Sequence, residues 1–241
     1  MKAGLRFLLV GAAGIAALVS SGVSASAANG PYTGTGYDIS YPQCNGNSLQ
    51  SPLPTGNFGI VGVNHGRPFT TNPCFGPAYM YATAPGAPAP SLYINLAYSG
   101  AYRRDITPGC NGQTQSQAWK IGCSEADTSF KSVGQRTVFV WWLDVETANS
   151  WSTNNASLHQ DTIQGAVDRL HQLSAGVPVG VYSTASNWKT ITGANAVYTP
   201  VNTAAEWVAG VGGSCATSNQ FDANPIWLSQ LNNGFDYDNA C

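Results

Sequence analysis

Trp141-Trp142-Leu143-Asp144-Val145-Glu146-Thr147-Ala148-Asn149 is an apolar run that ends in two carboxylates spaced i, i+2. Side chains alternate between faces along a strand, so this spacing puts both acids on one face. Upstream, Val138, Val140 and Trp142 share that face, while Phe139, Trp141, Leu143 and Val145 line the other. A strand that is apolar on both sides belongs inside a parallel sheet covered by helices. Ionised carboxylates are costly to bury without partners. Two of them at the end of a core strand indicate a wet cleft at the strand's C-terminal mouth, where barrel enzymes build their sites. The first functional expectation is paired-carboxylate chemistry.

Working outward, further strands are expected at Gly36 to Ser40, Phe58 to Asn64, Leu92 to Tyr98, Val177 to Ser183, Glu206 to Val211, Ile226 to Leu231 and Phe235 to Asp238. The central strand itself runs from Val138 to Glu146. Helical periodicity is clearest from Ser157 to Leu173, where Ile163, Val167 and Leu170 recur at helical spacing before the stop at Ala175-Gly176. A second helix is expected over Gln113 to Val133 and a short one over Ser186 to Ile191. Ala84 to Pro90 reads as a loop. The pattern predicts an α/β fold, a modified TIM-like (β/α) barrel with about five β/α units followed by three closely spaced strands. Asp38, Asp144, Glu146 and Asp236 would then converge on one mouth.

The N-terminus carries Lys2 and Arg6, an apolar run from Phe7 to Val19, and small residues around Ala25-Ser26-Ala27. That is the pattern of a secretory signal peptide over residues 1–28, leaving 29–241 as a single domain. No later segment is long and apolar enough for a membrane span. Ten Lys and Arg stand against twelve Asp and Glu. So sparse and slightly acidic a charge set is no nucleic-acid footprint. Six cysteines, Cys44, Cys74, Cys110, Cys123, Cys215 and Cys241, follow an export signal, which points to disulfides rather than a metal site. Several pairings are open; the sequential one would join nearby loops, and its last bridge would tether the final residue. His159 and His171 lie on the long helix without matching ligands, so neither a metal nor another cofactor is expected.

With these residues assembled, the chain resembles the family 25 glycoside hydrolases, lysozyme-type N-acetylmuramidases built on a modified (β/α) barrel. Gly36-Tyr37-Asp38-Ile39-Ser40-Tyr41-Pro42-Gln43 is similar to the family's opening Gly-x-Asp-Val-Ser-x-x-Gln, and Leu143-Asp144-Val145-Glu146 to its central Asp-x-Glu strand. Gly180-Val181-Tyr182-Ser183 with Trp188, Trp207-Val208-Ala209, Trp227 through Gln230 and Asp236-Tyr237-Asp238 resemble the later strands. The chain departs from the family at Cys44, at Asn64-His65-Gly66 in place of Thr-Glu-Gly, and in its third strand, Tyr93 to Tyr98.

The resemblance implies a secreted enzyme, acting as a monomer, that cleaves the β-1,4 bond following N-acetylmuramic acid in peptidoglycan or a related amino-sugar glycan. Glu146 takes the general-acid position, Asp144 that of its carboxylate partner, and Asp38 and Asp236 the first and last acidic positions. Such hydrolysis needs one protonated and one ionised carboxyl group, and neighbouring carboxylates push one pKa upward. The two Cα atoms should be ~6.6 Å apart along a strand, which leaves retention, inversion and substrate assistance open. Trp142, Tyr182, Trp207, Tyr98, Asn95 and Gln230 are the candidate substrate contacts. The competing structural roles are helix capping for Asp144 and Glu146, a backbone-bonding turn for Asp38, and an exposed turn at Asp238-Asn239. A non-catalytic glycan-binding protein is the rival reading, and a structural protein on the same barrel the third.

Overall fold

The structure, a computed structural model, describes residues 30–112 and 114–241; the expected signal peptide lies outside the described residues. Eight strands close into a barrel. They are β1 (Thr35–Ile39), β2 (Gly59–Gly62), β3 (Ser91–Asn95), β4 (Trp141–Asp144), β5 (Val179–Ser183), β6 (Glu206–Val208), β7 (Ile226–Asn232) and β8 (Asp236–Ala240). Neighbours from β1 through β7 pair in parallel, and β8 closes the ring antiparallel to both β7 and β1. The reversal follows from chain length. A parallel neighbour needs a crossover of roughly a dozen residues, whereas only residues 233–235 link β7 to β8. That link is a tight turn with Gly234 at φ +78°.

Helices α1 (Phe75–Ala82), α2 (Gln117–Val133), α3 (Ala156–Leu173) and α4 (Ala185–Thr192) follow β2, β3, β4 and β5. After β1 the chain makes a 3-10 turn and a small hairpin, Cys44–Asn45 with Ser48–Leu49, instead of a helix. The second helix begins later than periodicity suggested because the Ser116 hydroxyl accepts a hydrogen bond from Trp119 N–H and sets its start; Gln113 is outside the described residues. α1 escaped prediction, and a second short helix, Pro108–Asn111, precedes α2.

Two apolar layers hold the barrel. Inside it, Tyr32, Phe58, Ile60, Val140, Trp142, Trp207 and Leu228 pack together; outside, Trp141, Leu143 and Val145 join the layer between sheet and helices. The expected alternation of the central strand therefore holds from Val140 to Val145. It fails at Val138, which packs outward, and Phe139, which packs inward, because β4 starts only at Trp141 and Phe139 sits in a bend. Trp142, a candidate substrate contact, is instead a fully buried plug of the barrel interior. Gly180 makes room for it: a Cβ there would lie 2.3 Å from the Trp142 ring.

The three disulfides are Cys44–Cys74, Cys110–Cys123 and Cys215–Cys241, the sequential pairing. The last ties the residue after β8 to the loop following β6. Among the described residues no helix is long and apolar enough to cross a membrane.

Candidate active site

The inward-facing side chains at the upper ends of the strands converge on a cavity of about 260 Å³. Its acids are Asp38 from β1, Asp144 from β4, Glu146 just beyond it, and Asp236 from β8. Aromatic walls come from Tyr93, Tyr182 and Trp207, and Gln230 completes the lining. The antiparallel turn of β8 is what brings Asp236 here: as the first residue of a reversed strand, it pairs with Asn232 at the C-terminal end of β7. A parallel eighth strand would have left it at the opposite end of the barrel.

Hydrogen bonds divide the four acids. Asp144 is held on both oxygens, by Asn95 Nδ2 on Oδ2 and by Asn149 Nδ2 on Oδ1 at 3.3 Å. Asn95 is fixed in turn by Asn64, whose side chain bonds both its backbone N–H and its carbonyl. Glu146 meets only Asn187 Nδ2, at 3.4 Å. Asp38 accepts from Gln230 Nε2 at 2.9 Å, and Gln230 Oε1 accepts from the Tyr182 hydroxyl at 2.8 Å. Asp236 accepts from Asn232 Nδ2.

The lysozyme-like protein 1 family matches residues 104–224, half of the chain and the part that carries β4, β5 and β6. This protein belongs to that family. It is accordingly a glycoside hydrolase of lysozyme type. No curated protein matches the chain. Among solved structures, the bacterial lysozyme from Streptomyces coelicolor superposes with a TM-score of 0.52 at 16% identity, covering 88% of this chain and 93% of that one. The CTP1L endolysin gives 0.53 at 14% identity over 87% of this chain and 67% of that one. The modular Cpl-1 endolysin, solved with a peptidoglycan analogue, gives 0.52 at 13% identity over 86% and 54%. At such identities these similarities establish the shared barrel alone.

Burial, and then the crowding of acids, raises their affinity for protons. Burial, then the charge of Asp236, pushes the Asp38 carboxyl up to about 8, against the opposing bond from Gln230. Burial followed by Glu146 raises Asp144, and the Asn149 bond works the other way. Burial and then Asp236 raise Glu146. The same burial holds the phenols of Tyr93 and Tyr182 neutral.

Of the candidate contacts, Tyr182, Trp207 and Gln230 line the cavity with the four acids, and Trp142, Tyr98 and Asn95 do not. Asn95 points inward but is spent on Asp144. Tyr98 lies past the end of β3 and packs with Ala118, Ile121 and Trp151 against α2. Asp238 is a second surprise. It is no exposed turn residue but is fully buried, facing into the barrel and accepting the Trp207 indole N–H at 2.8 Å. Tyr93 and Asn149 were not singled out as site residues. The first shares its strand face with Asn95, a signal that alternation carries; the second lies in a turn whose geometry no periodicity encodes.

Proposed function

We propose that this chain cleaves peptidoglycan at the β-1,4 bond following N-acetylmuramic acid, in the manner of the family 25 glycoside hydrolases. The reading rests on one observation: two neighbouring carboxyls in the same cleft have opposite hydrogen-bond environments. Asp144 receives an amide donor on each oxygen, and these bonds favour its carboxylate against the upward pull of burial and of Glu146. Glu146 has a single long donor and a pKa raised by burial and by Asp236, which favours its protonated form.

Glu146 then donates its proton to the glycosidic oxygen as the bond from that oxygen to the anomeric carbon breaks. Asp144 stabilises the positive charge that develops at the sugar ring, directly or by orienting the 2-acetamido group. Water supplies hydroxide to the anomeric carbon and returns a proton to Glu146. Burial and the charge of Asp236 keep Glu146 protonated, and Tyr182 and Trp207 offer flat faces to the sugar. Residues 29–241 form the secreted, monomeric, disulfide-bonded domain that remains after removal of 1–28.

The test is to incubate the protein and its Glu146→Gln variant with purified peptidoglycan and analyse the fragments. New muramic reducing ends from the wild type, reduced by ~10²–10⁴-fold in the variant, are expected for loss of a general acid. Binding without release in both proteins would establish a glycan-binding protein instead.

A further inference from the structure

A second cavity, of about 350 Å³, is lined in part by Thr147 and Asn149, residues of the loop that follows β4 and Glu146. Its size is at the lower end of the roughly 300–1,000 Å³ usual for small-molecule pockets, enough for one compact unit rather than a chain. The lining is polar but carries no acid, lysine or arginine: Thr147, Asn149, Asn154 and Thr190 surround Trp151 and His159. Such a surface rejects ions and favours a neutral molecule bearing hydroxyl and amide groups beside an apolar face.

The walls are built before any ligand arrives. Trp151 is pinned through its indole N–H to the Glu146 carbonyl at 2.9 Å, and its backbone bridges to Tyr98. His159 is buried, with Nδ1 2.8 Å from the Ile191 carbonyl. A carbonyl accepts only, so a ring proton sits on Nδ1. Burial keeps the ring neutral by lowering its pKa.

Two lining residues are linked by hydrogen bonds to the catalytic carboxyls, one directly and one through Asn187. Asn149 donates to Asp144, and Thr147 donates to Asn187, which reaches Glu146. We propose that this cavity is a second binding site for a single neutral sugar unit of the glycan, built on the loop that follows the catalytic strand. The proposal rests on the glycan-hydrolase reading above. It explains how the protein can hold an insoluble glycan while cutting it: one neutral amino-sugar unit is gripped by the loop beside the cleft.

The experiment uses the Glu146→Gln protein, so that glycan is bound and not consumed, titrated with N-acetylglucosamine and its tetramer while amide and indole resonances are followed by NMR. The Trp151 indole N–H and the Thr190 and Asn154 amides should shift, with a saturation curve distinct from that of cleft residues. Thr190→Trp fills the cavity from an exposed helical position. In the otherwise wild-type protein it should raise KM on insoluble peptidoglycan by roughly 10-fold while kcat on a short soluble glycoside stays the same. Asn154→Ala, which leaves the cavity open, should weaken the second binding curve in the same direction. Shifts confined to the cleft, or an unchanged KM in Thr190→Trp, overturn the proposal and leave the hydrolase reading intact. A protein that neither binds these sugars nor releases reducing ends overturns both.

Discussion

Asn149 is the residue on which the division of labour between the two central carboxyls turns. Its amide donates to both the Asp144 carbonyl and Oδ1, at 3.1 and 3.3 Å, and opposes the upward pull of burial on that carboxyl. A hydrogen bond to a charged group contributes about 1.5–3 kcal/mol. Asn149→Ala should therefore lower kcat by roughly 10–100-fold with little change in KM. Removing a bond that holds Asp144 ionised also raises its pKa, so the acid limb of the kcat–pH profile should move to higher pH; an unmoved limb would show that Asn149 merely shapes the loop. The i, i+2 spacing of Asp144 and Glu146 was readable because strand alternation is a two-residue rule. Asn149 was not, because its reach back to Asp144 depends on a turn. Asp238 was misread for a related reason: beside Asn239 and near the C-terminus it looks like turn chemistry, but the register of β8 places it opposite Gln230 and Gly36, inside the barrel.

Elements position those residues, and the closest fit among them is between α2 and α3. At Gly122 a Cβ would stand 1.8 Å from the Thr162 carbonyl oxygen, and at Gly165 one would stand 2.1 Å from that of Trp119. Both obstacles are backbone, which cannot rotate away. The contact is reinforced by Thr162 Oγ1 donating to the Ala118 carbonyl and by an ion pair between buried Asp127 and partly exposed Arg169. Gly165→Ala should destabilise the fold by at least the ~1–3 kcal/mol typical of overpacking, read as a lower urea midpoint with an unchanged slope. Ala at Gly176, where nothing lies within 4 Å, would lose stability only through its positive φ. Periodicity located these helices because each buries one apolar stripe. It missed α1, whose eight residues Phe75 to Ala82 are apolar on most faces and too few to display a period. It also gave β4 too long a run, since apolar residues continue upstream of Trp141 through a bend that composition does not reveal.

At the scale of the whole molecule, the barrel concentrates acids in its interior, and its stability must answer to pH. The strand pattern alone implied this convergence, because eight short apolar runs separated by helical stretches close into a ring whose mouth collects the strand ends. The cost of that collection is set by burial depth, which only the closed ring defines. Asp38 rises from 3.8 to about 8, and Glu146 and Asp238 are raised as well, each first by burial. Between about pH 4 and 8 the folded chain therefore holds protons that the unfolded chain has released. Stability contributed by these groups is complete below the unfolded value near 4 and is lost as pH rises through the folded values. Asp127 acts oppositely: despite burial, its bonds from Lys131 and Arg169 lower its pKa, so its contribution fades only in stronger acid. The expected result is a melting temperature that climbs as pH is lowered from 8 to 5, by a few degrees per pH unit if one such group dominates, given a limit of about 1.4 kcal/mol per unit for a single proton. Asp38→Asn keeps an acceptor for Gln230 while removing the titration, and should flatten the climb, as measured by calorimetry across that range. A melting temperature that falls on acidification in the wild type, or an equal slope in the variant, would mean that the carboxyl cluster stays ionised and that water reaches it more freely than the closed barrel permits.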